Sequence, residues 1–186
     1  MIDHVGLNPT RADLLSLLER AGALVSTEMT TTGAGEPAGT LVIRHGTMRS
    51  FAVDPAEVPG VIDEIPALAA LAAMMPRGCT FQVRGASELR VKESDRISAL
   101  ATGMRALGAR VEEFEDGFIL EAAPLKAATV DAHGDHRLAM AFAIAATRAS
   151  GPVTILGARS VDVSYPGFFD TLAELTGTSP ARLGDG

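Results

Sequence analysis

Two short stretches concentrate the groups that could do chemistry. Leu89-Arg90-Val91-Lys92-Glu93-Ser94-Asp95-Arg96 holds three cations and two anions within seven residues, and Gly134-Asp135-His136-Arg137 sets a carboxylate, an imidazole and a guanidinium side by side. A guanidinium fork matches the geometry of a carboxylate or a phosphate, and a neighbouring Glu, Asp or His can carry a proton. Both stretches also suit the first turn of a helix, where unpaired N–H groups favour an anion. A plainer reading of the first stretch stays open: Ser94 caps, Asp95 complements the helix dipole, and the basic residues are solvated. The second stretch resists that reading more strongly, because His136 and Arg137 lead directly into a very apolar run, where a charge is costly unless it faces a polar cleft.

Other candidates are weaker. Asp63-Glu64 precedes Pro66 and reads as a first-turn acidic pair. His4, His45 and His133 lack partners at metal-ligand spacing, and Cys79, next to Gly78 and a strand-like run, reads as a core thiol. Phosphate-loop, dinucleotide and nucleophile-elbow motifs are missing from the sequence.

The elements that must hold these groups follow from periodicity. Asn8-Pro9-Thr10-Arg11 opens a first helix that ends near Gly22, with Asn8 or Thr10 as its cap. Leu24–Thr27, Leu41–Ile43 and Ser50–Val53 read as strands, with the Gly- and Thr-rich stretch 30–39 as a surface loop and His45-Gly46 as a turn. A second helix starts around Asp63 to Pro66, Thr80–Val83 is a strand, and Glu93 to Arg96 opens a third helix that closes at Gly108. Arg110–Glu112 and Gly117–Leu120 form a hairpin; the run after Gly134 is a nearly all-apolar helix, and Phe168–Leu175 is the last one.

The pattern repeats. Ala21–Val25 matches Leu107–Val111 at an offset of 86 residues, and Gly78–Val83 matches Gly151–Leu156 at an offset of 73. The unit is helix, strand, helix, strand, strand, and a period this long implies stacked units sharing one core, with buried helices in the middle and sheets outside. Related helices then point the same way. The starts at Thr10-Arg11, Asp63-Glu64, Ser94 to Arg96 and Asp135 to Arg137 gather on one anion-binding face.

Bulk properties bound this further. The chain has 186 residues, 16 Lys plus Arg against 23 Asp plus Glu and a formal charge of −7, so any anion site is local and bulk nucleic-acid binding is not expected. With one cysteine, no secretory opening and no apolar run of spanning length, a cytoplasmic protein with no membrane contact is expected.

The two stretches, together with Asn8-Pro9-Thr10-Arg11 and Ile62-Asp63-Glu64-Ile65-Pro66, resemble the EPSP synthase (3-phosphoshikimate 1-carboxyvinyltransferase) family from about Asn8 to about Gly177. The resemblance implies an α/β (α+β) enolpyruvyl transferase fold, an inside-out α/β barrel of repeated βαβαββ units with buried parallel helices inside and sheets outside. It also implies that residues 1–186 form a single domain, most of the C-terminal one of the usual two, the N-terminal domain being absent from this chain. The activity implied is transfer of the enolpyruvyl group of phosphoenolpyruvate to the 5-hydroxyl of shikimate 3-phosphate, with no metal and no cofactor. By the same resemblance, Asp63 contacts the shikimate hydroxyls and accepts the 5-hydroxyl proton, Glu93 moves a proton at the methylene carbon, and Lys92 reaches the substrate. Arg96, His136 and Arg137 surround phosphoenolpyruvate. A Lys that many members carry before the last helix is missing from Val161–Pro166. The partners implied are the two substrates and the N-terminal domain, the complete protein being a monomer. UDP-N-acetylglucosamine enolpyruvyl transferase and a non-catalytic anion-binding half-domain are the alternatives, and the isolated chain is expected to be inactive.

Overall fold

In the computed structural model, which describes residues 1–8, 13–31 and 37–177, helices form the centre and three sheets the outside. The first sheet is β1 (Ile2–Gly6), β3 (Ala38–Arg44) and β2 (Leu24–Thr31), antiparallel in the order β1-β3-β2. The second has the order β4-β5-β7-β6, from β4 (Phe51–Val53), β5 (Thr80–Val83), β6 (Arg110–Phe114) and β7 (Gly117–Glu121). The third pairs β8 (Ala128–Asp131) with β9 (Val153–Leu156) in parallel. The helices are α1 (Asp13–Arg20), a short α2 (Val58–Val61), α3 (Ile65–Ala73), α4 (Arg96–Leu107), α5 (His136–Ala146) and α6 (Phe168–Thr176).

Pairing shows a fuller repeat than the sequence reading. β4 runs parallel to β5 and β8 parallel to β9, each pair enclosing a buried helix, α3 or α5. The next helix, α4 or α6, ends at a left-handed glycine, Gly108 (φ 113°) or Gly177 (φ 65°), as α1 does at Gly22 (φ 105°). A left-handed turn lets the last carbonyls be capped while the chain reverses, and glycine takes it without a Cβ clash. After α1 and α4 comes a hairpin, β2–β3 or β6–β7, whose second strand lies antiparallel to β1 or β5. The unit is therefore βαβαββ. The middle copy, β4 to β7, is whole; the first is present from β1 and the third as far as α6.

Several expectations need correction. The helix, strand, helix, strand, strand order read from periodicity omits the strand that opens the unit, so β8 is an addition to it. β1, the counterpart of β5 in the first unit, and the short α2 are further additions, and the unit found is the βαβαββ one that the family resemblance implies. β2 and β3 extend into the stretch read as the loop 30–39, through Thr31 and from Ala38, because their ladder continues to Thr31↔Ala38. The strands flanking His45-Gly46 belong to different sheets. Pro9, Thr10 and Arg11, expected to open the first helix, lie outside the described residues.

Packing explains why α3 and α5 are apolar nearly all round. Ile65, Leu68, Ala69, Leu138, Ala139, Phe142 and Ala145 are buried, and small residues let these helices approach closely. A Cβ placed on Gly103 of α4 would overlap the ring of Phe142 on α5, so any larger residue there requires the buried ring or a helix to shift. Cys79 is half-buried and packs against the core, in keeping with a structural thiol.

Candidate active site

The site is built where α3, α4 and α5 begin. Asp63 lies in the turn that leads into α3, Arg96 is the first residue of α4, and His136 and Arg137 are the first two of α5. Each helix starts for a local reason. Pro66 sits in the first turn of α3, Asp95 caps α4 by accepting the Ser98 N–H at 3.0 Å, and Asp135 caps α5 by accepting the Arg137 N–H at 2.9 Å. The cap of α4 is thus Asp95, not Ser94, whose hydroxyl instead donates to Asp135 at 3.1 Å.

Arg96 is the centre of the cluster, and its side chain is completely buried. Nε donates to Asp135 Oδ2 at 2.7 Å, Nη1 to Asp63 Oδ1 at 3.1 Å, and Nη2 to Glu93. Arg137 joins from α5: its Nη1 donates to the Asp63 backbone carbonyl at 2.9 Å, and its Nη2 is 3.3 Å from Asp63 Oδ2. Asp63 therefore bridges both arginines. Burial works against the charge on Arg96, but the hydrogen bond and charge of Asp135, with Glu93 and Asp63 beside them, hold its pKa above the ordinary value. Burial likewise opposes ionisation of Asp135; the hydrogen bond and charge of Arg96, the Arg137 N–H and Ser94 outweigh it and keep its pKa below the ordinary carboxylate value.

The cluster has an inner and an outer side. Asp135 is fully enclosed, whereas the side chains of Asp63 and Glu93 are 43% and 50% exposed. A groove of about 530 Å³ adjoins the outer side, lined by Glu93, Ser94, Asp95, Ser98, Thr102 and His133. His136 is half-buried at the head of α5. Lys92 is paired with Glu88 at 2.7 Å, whose hydrogen bond raises its pKa, and it also feels the charge of Asp63.

The structure thus brings Asp63, Glu93, Arg96 and Arg137 into direct contact and places Lys92 and His136 next to them. The solvated reading of the basic residues is wrong for Arg96 and for Arg90. Arg90 holds its loop to the β6–β7 turn: Nε donates to the Glu115 carbonyl at 2.7 Å, Nη2 to the Phe114 carbonyl at 2.6 Å, and Nη1 to Asp95 at 2.8 Å. Two residues that shape the site, Arg90 and Asp135, look from sequence like no more than a loop cation and a helix cap. Their position inside the two charged stretches was the available signal. The last helix is preceded by Val161 to Pro166 without a cation, and Val163 in that stretch is highly exposed.

Parallel-strand units around buried helices, with paired arginines and carboxylates at converging helix N-termini, define a repeat-built α/β domain. Comparison with known proteins gives the particular family. The family model described as EPSP synthase (3-phosphoshikimate 1-carboxyvinyltransferase) matches residues 1–172. A relative from Syntrophomonas wolfei named 3-phosphoshikimate 1-carboxyvinyltransferase is 42% identical over 178 residues, covering 95% of this chain and 41% of the relative. One from Acidithiobacillus ferrooxidans with the same name is 46% identical over 167 residues, 90% of this chain and 38% of the relative. The solved EPSP synthase from Acinetobacter baumannii superposes with a TM-score of 0.85 at 37% identity, over 94% of this chain and 41% of that one. The enolpyruvyl transferase NikO from Streptomyces tendae shares the fold, with a TM-score of 0.55 at 20% identity over 89% of this chain and 35% of NikO. The chain belongs to the EPSP synthase family, and it spans about 40% of the length of the curated relatives it matches.

Proposed function

We propose that this chain carries one half of a 3-phosphoshikimate 1-carboxyvinyltransferase site, in which phosphoenolpyruvate adds to the 5-hydroxyl of shikimate 3-phosphate and phosphate is then lost. The observation that carries this reading is the convergence of Arg96 and Arg137 on Asp63 at two helix N-termini. The Nη groups of Arg96 and Arg137 receive the carboxylate and phosphate of phosphoenolpyruvate, with His136 alongside. Asp63 accepts the 5-hydroxyl proton, and Lys92 reaches toward the same substrate once it leaves Glu88. Protonated Glu93 delivers its proton to the methylene carbon when the tetrahedral adduct forms and takes a proton back from the resulting methyl group when the C–O bond to phosphate breaks. The 5-hydroxyl proton held by Asp63 leaves with the phosphate, so the proton count closes.

The span of about 40% favours a second element of the proposal: the other half of the site comes from the N-terminal domain of the same enzyme. The chain by itself then binds anions without turnover, because the reaction needs water excluded from a closed cleft. Phosphate release with both substrates, measured on the chain alone and on a fusion that adds the remaining length from the Acidithiobacillus relative, tests this. Turnover is expected only from the fusion, and Glu93→Gln in it should cut kcat by about 10² to 10⁴ with the fold intact. An inactive fusion that folds, or a Glu93→Gln fusion with normal kcat, would refute the proposal.

A further inference from the structure

We propose that Asp135 is the positioning residue of this site: one buried carboxylate fixes Arg96 and Arg137 relative to each other. This rests on the reading that the two arginines receive the anionic groups of a substrate.

Among the described residues, Arg96 and Asp135 are the two charged groups buried completely. A cap on α5 does not need a charge, since Asn or Ser serves that purpose as well as Asp. Burying a carboxylate is unfavourable unless a cation and hydrogen bonds compensate. The arrangement divides the two oxygens. Oδ1 accepts the backbone N–H groups of Arg137 and Leu138, at 2.9 and 3.5 Å, and so sets where α5 begins, and it also accepts Arg96 Nη2 at 3.5 Å. Oδ2 accepts Arg96 Nε at 2.7 Å and the Ser94 hydroxyl at 3.1 Å, and so sets the plane of the Arg96 guanidinium and the path of the loop before α4.

Held from inside along its Nε–Nη2 edge by Asp135, Arg96 presents Nη1 to Asp63 and the remaining N–H of Nη2 to Glu93 on the outer side. Those two half-exposed carboxylates are the exchangeable partners that an incoming oxyanion displaces. Asp135 stays in place.

The discriminating variant is Asp135→Asn. Asn keeps the volume and can cap α5 through its oxygen, but it then presents N–H groups to Arg96 Nε, donor to donor. In the wild-type chain the Arg96 Nε–H should be the slowest of the arginine Nε–H groups to exchange in ¹H–¹⁵N spectra, Arg96→Lys serving to assign it. Asp135→Asn should keep a cooperative melt, lose at least about tenfold of that protection, and bind inorganic phosphate about tenfold more weakly. Asp63→Asn, which removes the charge of an outer carboxylate and leaves Asp135 in place, should bind phosphate more tightly.

Wild-type Arg96 Nε–H exchange as fast as that of Arg110, 68% exposed, would overturn the proposal whether or not any variant folds. An unchanged signal and affinity in Asp135→Asn, or in Asp135→Ser should the first variant not fold, would also overturn it. A phosphate affinity that falls equally in Asp63→Asn would remove the distinction between inner and outer carboxylates. A protected Arg96 that Asp135→Asn releases, in a chain that binds neither phosphate nor phosphoenolpyruvate, would uphold the positioning and refute the anion-site reading.

Discussion

Arg96 and Arg137 sit a few ångströms apart in the same cluster, yet their environments differ enough to separate their effects. Removing Arg96 leaves Asp135 buried without its cation, and breaking a buried pair from one side costs about 3 to 5 kcal/mol. Arg137 is one-third exposed, with Asp63 as its ionic partner, so its loss should cost no more than about 1 kcal/mol. Urea denaturation of Arg96→Ala and Arg137→Ala is expected to show this contrast, and equal losses would contradict the burial of Arg96 as the deciding factor. The composition of the cluster was legible in the sequence, because helix-start chemistry marks Asp63, Glu93, Arg96 and Arg137 individually. Their pairing was not. The contact from Arg96 to Asp135 spans 39 positions and that from Arg137 to Asp63 spans 74, and no local rule connects residues so far apart.

At the level of elements, the site depends on how closely α4 and α5 cross, since Arg96 and Asp135 stand at their adjoining ends. Gly103 against Phe142 sets that crossing. Gly103→Ala forces the buried ring or a helix to move and should destabilise the chain by about 1 to 3 kcal/mol despite the better helix propensity of Ala, as a shift in thermal midpoint would show. A rise in stability would mean that the interface yields freely. Helices were easier to read than strands: α3, α4, α5 and α6 all carry a start signal or a closing glycine. β1 and β8 were missed for physical reasons. β1 includes His4 at positive φ and a register shift between Ile2 and Val5, so its sequence lacks alternation, and β8 is four residues long with one buried side chain, Val130. Short strands that are held by their neighbours leave little periodicity to find.

For the molecule as a whole, the three incomplete or complete units have unequal sheets. In the first two units, the strand corresponding to β9 has an antiparallel neighbour, β3 beside β1 and β7 beside β5. Among the described residues, β9 pairs with β8 alone, and its Val153 and Ile155 line a groove of about 390 Å³ with Ala143 and Ala146 of α5 and Phe169 and Leu172 of α6. An edge of this kind offers unpaired backbone groups next to apolar side chains, which is the template that drives chains to pair with one another. Concentrated samples should therefore self-associate through β9, with light scattering that rises more steeply than concentration. Thr154→Lys, which places a charge on the exposed side of that strand, should suppress the effect, and scattering indifferent to it would place the sticky surface elsewhere. Colloidal behaviour, by this argument, is governed at the opposite end of the third unit from the charged cluster at the head of α5.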